Sequence, residues 1–125
     1  MVLTDNSQLA AECSEWRQIL RNYREEFQDC TAVLRDSCRN PLSKNQYQEV
    51  EHFQNQFHIQ LINIHDLKQE IKRHERRIAS DQNGGDHSDA LYAHHEQLLD
   101  RFLTLENTLQ ELRNDFRLFI NATSC

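Results

Sequence analysis

Three long stretches in this chain carry apolar residues at alternating steps of four and three, the spacing of helices that pack side by side along their whole length. The first runs through Leu9, Cys13, Trp16, Leu20, Tyr23, Phe27, Cys30 and Leu34. The pattern restarts at Val50 and continues through Phe53, Phe57, Gln60, Ile64, Leu67, Ile71, His74 and Ile78. It restarts again at Leu91 and continues through His95, Leu98, Phe102, Leu105, Leu109, Leu112, Phe116 and Phe119. Between the stretches lie Ser37 to Pro41, which holds the only proline, and Ser80 to Asp86, which holds both glycines. These are the places where a helix stops most readily. Helices are expected over about 7–38, 43–79 and 88–120, with Ser43 and Gln46 spaced as a capping box and Asp86 or Ser88 capping the third.

The three patterns also agree with one another. In an antiparallel hairpin the numbers of facing residues add to a constant, and His74 with His95, Leu67 with Phe102 and Phe53 with Phe116 share one such constant. The first and second stretches share another, which pairs Cys13 with Leu67, Phe27 with Phe53 and Asn6 with His74. One architecture satisfies both relations: an all-α, up-down-up antiparallel three-helix bundle, elongated, with coiled-coil-like heptad packing. Its shape resembles the spectrin-like architecture, in geometry alone. At 125 residues the chain buries a sizeable core only if nearly all of it joins one packing unit, so residues 1–125 are read as a single domain.

Charge and hydropathy narrow the function classes. Fourteen Lys and Arg against twenty Asp and Glu leave a net charge of -6, the wrong sign for a protein whose affinity comes from neutralising phosphates. Nucleic acid is therefore disfavoured as a partner. The basic stretch from Lys68 to Arg77 is read as cations complementing the carbonyl end of the second helix. No apolar run is long enough for a membrane span and no leader-like start is visible, so a soluble, cytoplasmic protein is expected. Four cysteines without a closely spaced pair argue against a disulfide scaffold or a thiolate zinc cluster. Cys13 and Cys30 lie too far apart along one helix to bridge, while Cys38 and Cys125 could lie near the same end of the molecule.

Two groups of polar residues invite chemistry. His74 and His95 share a seam layer, and Asn6 is the first-helix residue expected at their level. Together with Glu70, one turn before His74, they could offer nitrogen and oxygen ligands to a transition metal. The paired Glu-x-x-His motifs of a helical di-iron centre are missing, since only Glu49 and His52 have that spacing. The primary reading is a polar layer that sets helix register without a cofactor, and the metal on His74, His95 and Glu70 is the alternative.

The second group is Ile64-His65-Asp66-Leu67-Lys68. His-Asp-Leu-Lys resembles the phosphoacceptor box of sensor histidine kinases, and His-x-Leu-Lys is similar to the start of the histidine phosphotransfer motif. The resemblance implies His65 as phosphoacceptor, Asp66 as its acid-base neighbour and Lys68 as a phosphate-facing cation. It spans five residues and ends at Gln69, where phosphotransfer domains carry a small glycine. Beyond the seams, Ile59 and Ile62 on the second helix and Leu99 and Leu103 on the third are surplus apolar positions, with Leu61 and Leu118 beside them. The sequence is thus read as a non-enzymatic helical interaction or structural module, whose partner is a second copy or another helical protein. Histidine phosphotransfer through His65 and metal binding through His74 and His95 are its alternatives.

Overall fold

The computed structural model describes residues 6–37, 42–80 and 88–123. They form three helices, α1 (Asn6–Ser37), α2 (Lys44–Ser80) and α3 (Ser88–Thr123), with no strand among the described residues. The longest has 37 residues, roughly 55 Å at 1.5 Å per residue. All three contribute to one hydrophobic core, in an all-α three-helix bundle. No helix among the described residues is long and apolar enough to cross a membrane.

Local chemistry explains where α2 begins. The Ser43 amide donates to Gln46 Oε1 at 2.8 Å, and the Gln46 amide donates to Ser43 Oγ at 3.2 Å, so two otherwise orphaned donors at the helix start are satisfied reciprocally. The expected caps of α3 and the Cys38 and Cys125 pair lie outside the described residues or side chains. Only Arg77 falls in the last turn of α2. Lys68 sits more than two turns earlier and is buried, so most of the basic stretch is not dipole complementation.

The hairpin of α2 and α3 has the expected register. His74 meets His95, and the rings of Phe53 and Phe116 lie 5.4 Å apart. The register of α1 differs from expectation. Asn6 donates to the Ile78 carbonyl at 3.3 Å instead of meeting His74, Cys13 meets His74 instead of Leu67, and Phe27 packs 5.5 Å from Phe57 instead of opposite Phe53. Each α1 residue meets a position four to seven residues later in α2 than the constant predicts. The reason is that a slide of four or of seven residues still brings a seam residue to a seam partner, so periodicity cannot distinguish the arrangements.

The core therefore has two ends of different character. Phe27, Phe53, Phe57, Phe116 and Phe119 interlock at one end, with ring separations from 5.0 to 6.5 Å. Burying each such ring stabilises the fold by roughly 1.5–3 kcal/mol. Towards the other end the apolar layers are interrupted by Cys13, His74 and His95 under Trp16, with Leu9, Ile78 and Leu91 buried beyond them.

Candidate functional site

The polar layer is built by one seam residue from each helix, and the shifted register decides which. Cys13 on α1, His74 on α2 and His95 on α3 are 0%, 0% and 2% exposed. A ligand atom from each lies within 4.8 Å of the other two. His74 Nε2 and His95 Nδ1 face each other at 3.0 Å, and Cys13 Sγ approaches the same His95 Nδ1 at 3.9 Å. The other nitrogen of His95, Nε2, lies 2.7 Å from Glu12 Oε1.

These contacts determine the protons. A nitrogen 2.7 Å from a carboxylate oxygen carries hydrogen, so His95 Nε2 donates to Glu12, and in the neutral ring Nδ1 is left as a lone pair. His74 Nε2 then supplies the hydrogen of the bond between the two rings, and His74 Nδ1 is a lone pair as well. That atom is buried and has no hydrogen-bond partner. Trp16 covers His95 at a ring separation of 4.7 Å and stacks in turn on Phe102 at 5.8 Å. His94 meets His74 edge-on at 4.9 Å.

Burial dominates the electrostatics. It holds His74 down to a pKa of about 4, with His94, His95 and Arg77 reinforcing the shift, so the ring is neutral near neutrality. It pushes the Cys13 thiol up to about 12, helped by Glu75 and Glu12 and opposed by Arg17. Cysteine, histidine and glutamate stand in the order of a nucleophilic triad, but a fully buried and protonated thiol attacks nothing. Hydrogen bonding and ligation are the chemistries that this buried arrangement supports.

Glu70, expected among the ligands, gives its carboxylate to Arg101 of α3. It lines a cavity of about 290 Å³ with Arg73, His74, Arg77 and His94, beside the layer and not within it. The register shift accounts for both differences: Asn6 leaves the layer and Cys13 enters it. Cys13 was visible as a seam residue throughout; only its level was misassigned.

The histidine box does not assemble as the resemblance implies. His65 and Asp66 are exposed, and Asp66 lines a groove of about 570 Å³ between α2 and α3 with Asn63, Asp100 and Arg101. Lys68 turns the other way. It is 8% exposed, and burial together with Arg24, Arg21, Lys72 and Arg17 lowers its pKa. A lysine packed among cations is not an open phosphate partner for His65.

Of the surplus apolar residues, Leu61 and Leu99 pack partly buried against the core. Ile59, Ile62, Leu103 and Leu118 remain exposed, together with Val33, Tyr47 and Tyr92, which periodicity did not single out. A further groove of about 420 Å³ between α1 and α3 is floored by Cys30, Val33, Phe116 and Ile120 and rimmed by acidic and basic residues. The chain matches no family model, no curated protein and no solved structure.

Proposed function

We propose that this chain is a non-enzymatic helical interaction module that presents its helix surfaces to a second copy of itself or to another helical protein. The observation that carries the reading is the pair Ile59 and Ile62, 45% and 46% exposed and three residues apart on α2, the helix that packs against both others. Full burial of an isoleucine is worth roughly 1.5–3 kcal/mol, and in the isolated bundle these two residues leave nearly half of their surface in water. A partner helix laid across that face would recover it, with the two side chains as anchors at helical spacing. Cys13 and Cys30 are free thiols, which supports a place in the reducing cytoplasm.

The test is the solution mass of the wild type and of Ile59→Lys/Ile62→Lys by sedimentation equilibrium. Under this reading a wild-type multimer dissociates in the variant, while helicity is retained because both sites face solvent. A multimer that survives the two lysines places the interface elsewhere. A monomeric wild type rules out the second copy and leaves only the heterologous partner.

A further inference from the structure

We propose that Cys13, His74 and His95 form a binding site for a divalent transition ion, zinc being the ion whose ligand preferences they match, with Glu12 orienting His95. Three observations carry this beyond the interaction module. The first is convergence: one thiol and two imidazoles, all buried, bring a ligand atom each within 4.8 Å of the others. Tetrahedral zinc with ordinary bond lengths asks for ligand separations of about 3.3–3.6 Å. The observed 3.0 Å between the imidazole nitrogens and 3.9 Å between sulfur and His95 Nδ1 bracket that range, and the third edge, from Cys13 to His74, is within 4.8 Å, so closing it is the largest adjustment binding asks for.

The second is the support behind one ligand. A metal-binding histidine characteristically donates its remote N–H to a carboxylate, which leaves the lone pair of the other nitrogen aimed at the ion. His95 has that arrangement, with Nε2 on Glu12 at 2.7 Å and Nδ1 turned towards His74 and Cys13. The third is the orphaned Nδ1 of His74, a buried nitrogen without a partner in a fully buried residue. In the metal-free layer one proton between two rings leaves that atom unsatisfied. Ligation through Nε2 moves the His74 proton to Nδ1, so the unpartnered nitrogen becomes the atom that holds it.

The balance is simple. Binding forms one metal–sulfur bond and two metal–nitrogen bonds, the S–H bond of Cys13 breaks, and its proton leaves to solvent without any change of oxidation state. The dipositive ion is then offset by the thiolate and by the Glu12 carboxylate, so the loaded layer carries no net charge where the empty one carried that of Glu12. Three protein ligands leave a fourth position for water.

Cobalt(II) is the probe, added to the full-length reduced chain. The expected result is one equivalent bound with the visible spectrum of tetrahedral cobalt, a thiolate-to-cobalt charge-transfer band, quenching of the only tryptophan, Trp16, and displacement by zinc. Cys13→Ser should abolish the charge-transfer band, whereas Cys30→Ser should leave it intact. Glu12→Gln, on a partly exposed side chain, should weaken binding about tenfold to a hundredfold while keeping the band. A band that survives Cys13→Ser, or cobalt that stays octahedral in the wild type, overturns the proposal. Affinity unchanged in Glu12→Gln overturns the role given to that carboxylate.

Discussion

Lowering the pH should weaken the metal-free bundle through one residue, His74. In the folded chain its pKa is held down to about 4 against 6.5 for a free imidazole, so the fold binds the neutral ring. The groups facing it are His94 and His95 from α3, Cys13 from α1, and Arg77, Arg73 and Glu70 on its own helix, and burial is the largest cause of the shift. Because the folded value is depressed, the stabilisation is fully present above pH 6.5 and is lost as the pH falls towards 4, where the unfolded chain holds a proton that the folded chain refuses. The full shift corresponds to about 3 kcal/mol, of which about 2 kcal/mol is lost between about pH 7.5 and pH 5. Urea unfolding in chelator-treated buffer, compared between wild type and His74→Leu, isolates this contribution because the other titrating groups are common to both. The difference in unfolding free energy between the two proteins should change by that amount across the interval. Parallel pH profiles would refute the argument, since they would mean that the ring is either solvated in the fold or not the group that titrates.

Two further substitutions test the packing. Lys68→Met should raise stability by up to about 1 kcal/mol, because it removes an ammonium whose electrostatic neighbours are cations and keeps the buried aliphatic stem; a loss in the urea midpoint would show that the lysine has a favourable role. Phe27→Ala should cost about 3–5 kcal/mol, since the ring is fully buried and packs between Tyr23 and Phe57; a loss below about 1 kcal/mol would mean that this end of the bundle is loosely packed.

Periodicity alone located the helices to within a few residues, because a stripe of apolar side chains every three and four residues has only one way to be buried. It located the α2 and α3 hairpin in register as well, where only seven residues separate the two helices in sequence and His74 must meet a residue near His95. It could not locate α1, since Phe27 is as good a seam neighbour for Phe53 as for Phe57. The candidate site inherited that ambiguity: Asn6 and Cys13 are both seam residues, seven apart, and only the structure decides which joins the two histidines. Glu70 was misplaced for a different reason. A residue one turn from a ligand on the same helix looks close in sequence, but its side chain reaches across to Arg101. In the His65 segment, local spacing also left open which helix each side chain faces, and Lys68 turned to α1.

What periodicity leaves undetermined, the polar layer is suited to decide. With α1 moved back by one heptad, Cys13 would face Leu67, and the pairs Glu12 with His95 and Arg17 with Glu75 would be broken, the second a two-bond contact at 2.5 and 3.1 Å. With α1 moved forward, His74 would lie opposite Leu20 and lose its environment of polar atoms. Slipped registers keep seam residues against seam residues but lose overlap at the helix ends and leave polar groups unsatisfied, each of the latter costing about 1–3 kcal/mol. The hypothesis that follows is that Cys13, His74 and His95 specify register, whether or not an ion is bound. Replacing all three with leucine should then keep the helices while allowing a second alignment. A slip of one heptad moves α1 by about 10 Å along α2, which is measurable as a second distance between spin labels attached through non-cysteine chemistry at the exposed Gln28 and Arg76. One narrow distance in the wild type and two in the triple variant is the expected result. A single unchanged distance in both would assign register to the connection between α1 and α2 and to the flanking ion pairs, and would leave ligation as the only role for the layer.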